Sequence, residues 1–168
     1  MQRIMIIGSP GSGKTTLSTL IAEKLGLPIV HLDRLAWKSG WVFRPREEFD
    51  SMHTEELSKE QWIMDGNYGR TIDVRLEMAD TAILLDYPTC ICLFRVLKRF
   101  ILNMGRTRPD MTEGCPERID MEFLIYICNF RRKNRKKLLA KLEAAENVNV
   151  IIIRNKRDYR KFLLTLGK

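Results

Sequence analysis

Apolar and polar positions along this chain follow two rhythms, and the switches between them mark its elements. Residues 2–7, 28–32, 61–64, 81–85 and 149–153 are short, nearly unbroken apolar runs. Runs of that length between polar stretches predict strands covered on both faces. Between them the period lengthens. Leu17, Leu20, Ile21 and Leu25 recur at helical spacing, and Gly26 stops the helix predicted over 14–25. Further helices are predicted over 45–59, with Pro45 at its start and acidic residues in its first turn, and over 71–78, 88–104, 119–142 and 158–166. Residues 34–44, holding Trp37 and Trp41, read as a loop, as does the polar, Gly/Pro-punctuated stretch 105–118.

Strands alternating with helices predict an α/β fold of three layers around a five-stranded parallel sheet, because parallel strands need crossover connections. The 168 residues are expected to form one domain, 1–168, with 105–118 inserted as a short arginine-rich lid. In such sheets ligands gather beyond the carboxyl ends of the strands. Gly8, Asp33, Asp65, Asp86 and Arg154 fall at those ends.

Composition narrows the class. The chain is 45% hydrophobic and 30% charged, and no apolar run approaches the ~18 residues of a membrane span. Its four cysteines show no C-x-x-C pairing and read as structural thiols, so a cytoplasmic location is expected. The net charge of +8 is uneven: residues 95–168 hold 19 Lys and Arg against 8 Asp and Glu. That half either faces an anion or is a solvated basic surface.

Residues 5–17 read MIIGSPGSGKTTL, a strand running into glycines and then into a helix. Gly8-x-x-x-x-Gly13-Lys14-Thr15 matches the phosphate-binding loop G-x-x-x-x-G-K-[ST], in its required strand–loop–helix context. Glycines at 8, 11 and 13 allow successive N–H groups to turn inward, and the helix N-terminus adds its own. Gly8, Ser9, Pro10, Gly11, Ser12, Gly13, Lys14, Thr15 and Thr16 are therefore expected to hold ATP. Lys14 would reach the β- and γ-phosphates, Thr15 a Mg²⁺ ion and Thr16 the α-phosphate.

Several stretches extend the match. Pro10 inside the loop, WIMDGNY (62–68) and ADTAILLDYP (79–88) followed by Arg95 and Arg99 resemble the adenylate-kinase branch of nucleotide-loop kinases. More narrowly, HLDRLAWKSGW, DGNY and GRTRPDMTEGCPER (105–118) resemble the bacterial topology-modulation proteins, adenylate-kinase-like proteins named for an effect on DNA supercoiling. Two departures stand out. Gly69 sits where that branch carries an arginine, and HLDR (31–34) replaces its AMP-gripping T-G-D-M-x-R element.

Roles follow from phosphoryl-transfer chemistry, which rests on positioning and charge neutralisation. Asp65 is the candidate to hold Mg²⁺ through water, or else a strand-end cap. Asp33 is the candidate base for an acceptor hydroxyl, or else a helix or turn cap. Arg95 and Arg99, one helical turn apart, could close over the transferring phosphate with Arg106, Arg108 and Arg118, or simply face solvent. Arg34 and Arg70 could contact the acceptor, and Arg154 to Arg157 could border an adenine. Trp37 and Trp41 could stack a base or form local core. The basic run 131–137 is a solvated face or a nucleic-acid contact. The expected function is transfer of the γ-phosphoryl of Mg·ATP to a small acceptor; the resemblance implies a nucleotide or nucleoside. Nucleic acid remains a possible partner. The alternatives are a nucleic-acid-associated ATP-binding protein influencing DNA topology, and an ATP-bound regulator.

Overall fold

A computed structural model describes residues 1–166. Strand β1 (Arg3–Gly8) lies at the centre of a parallel sheet with β5 (Trp62–Asp65) and β6 (Thr81–Leu85) beside it. β2 (Ile29–His31) pairs outside β5 and β7 (Asn149–Ile153) outside β6, giving the order β2-β5-β1-β6-β7. The unbroken apolar run of β1 has its reason here. Ile4 and Ile6 enter one core with Leu17, Ile21, Val96 and Ile127, while Met5 and Ile7 enter the opposite core with Trp62, Met64, Ile72 and Leu138. Alternate side chains of one strand thus feed both cores, and all four are 0% exposed.

The helices close both faces. α1 (Lys14–Leu25) ends at Gly26, whose left-handed backbone donates its N–H to Ala22. α3 (Arg46–Leu57) starts directly after Pro45, α4 is Ile72–Met78, α5 Thr89–Asn103, and α8 is Lys156–Thr165. Asn155 caps α8 through bonds from Arg157 N and Asp158 N, so that helix begins two residues earlier than its periodicity suggests.

Two segments correct the sequence reading. Residues 34–44 are not a loop. α2 (Leu32–Ala36) takes in Asp33 and Arg34, and β3 (Trp37–Lys38) pairs antiparallel with β4 (Val42–Phe43) in a small hairpin. Trp37 sits edge-on to Trp41 at 5.4 Å and to Phe43 at 5.0 Å, an aromatic cluster that holds this hairpin without a long ladder. The helix expected over 119–142 is interrupted. α6 (Met121–Phe130) passes through a π-helical segment, Arg131–Arg135, into α7 (Lys136–Glu143). The wider turn sets both Arg131 and Arg135 against the buried Asp86 at the end of β6, at 3.4 and 2.8 Å. The basic run is therefore divided: two arginines neutralise Asp86, whereas Arg132, Lys133 and Lys136 are exposed.

Candidate active site

The strand ends, α1, the hairpin, α5, α6 and the 105–118 lid enclose one cavity of about 1250 Å³. It is large enough for two ligands of ordinary size. Its floor is the loop after β1. Gly11 has φ 76°, and a Cβ there would run into Cys92 O and within 2.8 Å of Val96 Cγ2. Gly13 has φ 101° and opens α1. Glycine is thus required by backbone conformation at both positions, and by close packing at the first. Ser9 and Ser12 each hold a buried hydroxyl with no partner. Buried polar atoms are seldom left so. Neither serine, nor Gly8, is among the lining residues; Pro10, Gly11, Gly13 and Lys14, with the helix N-terminus, form the cradle that faces the cavity.

Lys14 Nζ donates to Gly8 O (3.0 Å) and Ser9 O (3.2 Å), arched over this cradle. Burial pushes its ammonium below the usual lysine range, while the carboxylates of Asp33 and Asp65 oppose that fall. Thr16 also lines the cavity.

The carboxylates are placed by the sheet register. Asp65 ends β5 opposite His31 of β2, and His31 Nδ1 donates to Asp65 Oδ1 at 2.9 Å. Ser18 Oγ lies 3.0 Å from Asp65 Oδ2. Burial draws the His31 imidazole down, but its bond to Asp65 and that carboxylate's charge outweigh it, so the histidine is raised overall. Asp33, in the first turn of α2, accepts from Tyr68 OH at 2.8 Å. Burial, and Asp33 after it, push the Tyr68 phenol upward, which keeps it protonated and donating. Tyr68 itself stands at φ 27°, a strained backbone for a non-glycine.

What fixes that turn is Arg75, which sequence reasoning missed. It is 0% exposed and donates to Gly66 O (3.0 Å), Asn67 O (2.7 Å) and Thr71 O (3.3 Å). Burial lowers its guanidinium to about 9, with Asp65 opposing, so it stays charged at neutral pH. Nothing in a helical R-L-E-M pattern distinguishes such an arginine from a solvated one. Replacing it with methionine keeps the bulk but removes the donor from three backbone carbonyls, those of Gly66 and Thr71 in buried contacts. Arg75→Met should cost about 3 kcal/mol of stability in urea unfolding; a loss under about 1 kcal/mol would show that the turn stands without it.

The lid closes the cavity through a chain of ion pairs. Arg99 meets Glu117 at 2.8 Å, Arg108 meets Glu117 at 2.6 Å and Asp110 at 2.7 Å, and Thr15 Oγ1 donates to Asp110 Oδ2 at 3.0 Å. Glu117 and Asp110, both buried, are the further site residues that sequence spacing does not reveal. The lid also docks on the hairpin: Gly40 N donates to Gly114 O, Trp41 Nε1 to Pro116 O and Thr112 Oγ1 to Trp37 O.

Not every predicted residue arrives. Arg95, Arg99 and Arg108 line the cavity, although Arg95 Nη1 is engaged by Ser12 O at 3.0 Å and its guanidinium stacks on Tyr87. Arg106 does not line it. Its backbone pairs with Asn103 and Glu117 at the base of the lid, and its side chain is exposed. Arg154 is exposed beyond β7 and is not among the lining residues; its N–H donates to Asp158. Arg34 also stays outside, and Arg70 is held by Asp50 at 2.6 Å.

Thr15 Oγ1 and the Asp65 and Asp110 carboxylates supply hard oxygen donors of the kind Mg²⁺ prefers. Among the described residues no three acidic, His or Cys side chains form a closed cage. The residues present fit both groups.

With this geometry in hand, the likeness to known proteins becomes informative. The chain aligns over 99% of its length with the crystal structure of shikimate kinase from Bacteroides thetaiotaomicron, covering 96% of that chain at TM-score 0.57 and 17% identity. This is a P-loop kinase fold. Among curated proteins, an adenylate kinase of Tropheryma whipplei (strain Twist) is 27% identical over 108 residues, 62% of this chain and 54% of its own. A putative adenylate kinase of Thermococcus onnurineus (strain NA1) is 32% identical over 89 residues, 49% of this chain and 47% of its own. The chain thus spans about half the length of the curated relatives it matches. Residues 4–64 match the family described as ATPase family associated with various cellular activities (AAA), a span that contains the phosphate loop of this kinase fold. These likenesses support the P-loop kinase superfamily. A nucleic-acid role finds no support among them. No helix among the described residues is long and apolar enough to cross a membrane.

Proposed function

We propose that this protein is an ATP-dependent phosphotransferase that passes the γ-phosphoryl of Mg·ATP to a small-molecule acceptor. The observation that carries the reading is the phosphate loop, whose Pro10, Gly11, Gly13, Lys14, Thr15 and Thr16 open into the cavity that also holds Asp33. The loop amides and Lys14 hold the triphosphate. Thr15, with Asp65 acting through water, would hold Mg²⁺, which when bound would supply charge neutralisation to the triphosphate. Arg99 and Arg108, kept over the cavity by Glu117, face the charge that develops on transfer. Asp33 accepts the proton of the attacking hydroxyl, with Tyr68 fixing one of its oxygens. Arg95 braces the phosphate loop from behind through Ser12 O.

The relatives named adenylate kinase and the shikimate-kinase neighbour support phosphoryl transfer; the resemblance of 105–118 to the topology-modulation proteins supports the finer placement in that group. A cytoplasmic setting accords with the free cysteines. Calorimetric titration tests the donor. Mg·ATP should bind saturably at one site and roughly tenfold or more tighter than Mg·AMP, because only the triphosphate fills the loop. No heat with Mg·ATP, or equal affinities, would remove the assignment.

A further inference from the structure

We infer that the acceptor is an uncharged alcohol carrying a planar aromatic ring, of the nucleoside class, and that the site discriminates against the corresponding monophosphates. The inference rests on the kinase reading and goes beyond it by naming the acceptor chemistry. Two features of the cavity wall away from the phosphate loop carry it.

The first is what the wall offers. Beyond Asp33 the cavity is lined by Trp37, Tyr68, Ile72, Phe123, Tyr126 and Phe130. Aromatic side chains contributed by three different elements present ring faces and edges to whatever sits there, and base–aromatic stacking is a sequence-tolerant source of affinity. Asn67 and Asn134 supply neutral hydrogen-bonding groups at the same wall.

The second is charge. A phosphate dianion taken from water needs buried cationic donors. Every buried cation near this wall is already engaged. Arg75 is spent on three backbone carbonyls and Arg99 and Arg108 share Glu117, while the more exposed Lys141 is paired with Asp73. Among the described residues lining the cavity, Lys14 and Arg95 have no carboxylate partner but lie at the phosphate loop, on the carbonyls of Gly8, Ser9 and Ser12; away from that loop Arg118 and Lys137 have none, and both are exposed. Arg118 is moreover stacked on Trp41 at 4.4 Å. The same wall carries Asp33, Asp120 and Glu122. An anionic acceptor would meet carboxylates before it met a free cation.

The step balances without a further reactant. The acceptor hydroxyl gives its proton to Asp33, its oxygen forms the new bond to the γ-phosphorus, and the bond to the β–γ bridging oxygen breaks with its electron pair leaving on ADP. The products are ADP, a phosphomonoester and one proton.

The test separates acceptor from donor. With Mg²⁺ and a non-hydrolysable ATP analogue at saturation, adenosine, guanosine, cytidine, thymidine and their 5′-monophosphates are titrated while tryptophan fluorescence is read. Trp37 and Trp41 line the cavity, whereas Trp62 is 0% exposed and gives a constant background. At least one nucleoside should quench and bind roughly tenfold tighter than its monophosphate, and the same nucleoside should stimulate ADP release from Mg·ATP. Tyr126 is 41% exposed, so Tyr126→Ala leaves the core intact. It should weaken nucleoside binding about tenfold. A monophosphate binding tighter than its nucleoside, no quenching by any nucleoside, or unchanged affinity in the Tyr126→Ala variant would each overturn the inference. Calorimetric binding of Mg·ATP to the same preparation reports on the donor reading independently.

Discussion

Replacing Lys14 by alanine should lower ATP turnover by at least about 10³-fold, close to 4 kcal/mol of transition-state stabilisation. The size follows from where the ammonium lies. It arches over the loop on the carbonyls of Gly8 and Ser9, where burial disfavours its charge and the carboxylates of Asp33 and Asp65 oppose that loss. In so shielded a place its interaction with the β- and γ-phosphates is screened little. Removing it takes from the triphosphate a positive charge that Asp33 and Asp65 also feel, while Asp65 keeps His31 and Asp33 keeps Tyr68. Both kcat and Mg·ATP affinity should fall, because the ammonium meets phosphate charge before and during transfer. Alanine creates no buried unpaired charge, so the thermal midpoint should stay close to that of the wild type; a melt alongside the assay guards against unfolding as the cause. Turnover within threefold of wild type would show that the loop is not the donor site.

That argument was open to a reader of the sequence alone, and the reason is physical. A phosphate loop is made of consecutive residues, so its chemistry is local and its spacing survives in the string. The five strands were legible for the same reason: β1 is apolar at every position because two cores claim its alternate side chains. What was not legible depends on register and on long-range pairing. His31 meets Asp65 because β2 and β5 pair in register, thirty-four positions apart in sequence. Glu117 and Asp110 are ordinary acidic loop residues until the lid folds them onto Arg99, Arg108 and Thr15. The hairpin at 37–43 has strands of two residues each, too short for any period to register, and Trp41 at φ 62° is a conformation no propensity would suggest. The π-helical turn at 131–135 brings Arg131 and Arg135 onto the buried Asp86, some fifty positions away, a pairing that helical periodicity does not show. Arg106 and Arg154 failed to reach the cavity because sharing a loop or a strand end with site residues does not settle which way a side chain faces.

Asp33→Asn should slow phosphoryl transfer to the acceptor by about 10²- to 10⁴-fold while leaving Mg·ATP affinity within a factor of two. The structure makes this a clean substitution. The Asp33 carboxylate accepts from the Tyr68 hydroxyl at 2.8 Å, and an asparagine carbonyl oxygen can accept the same bond. Neither the Tyr68 turn, pinned from below by Arg75, nor the short α2 helix need shift. What asparagine lacks is the second oxygen's capacity to take a proton, which is the property the acceptor hydroxyl requires as its bond to phosphorus forms. A base and a structural cap therefore predict different patterns. Loss of the base lowers kcat for acceptor transfer and leaves the melting temperature alone; loss of a cap lowers the melting temperature and spares kcat. Asp33→Ala separates them further. It discards the Tyr68 partner as well, so stability should drop by about 1 kcal/mol with transfer no slower than in the asparagine variant. Transfer rates equal to wild type in Asp33→Asn would leave deprotonation of the acceptor to water or to the phosphate itself, and would remove Asp33 from the chemistry.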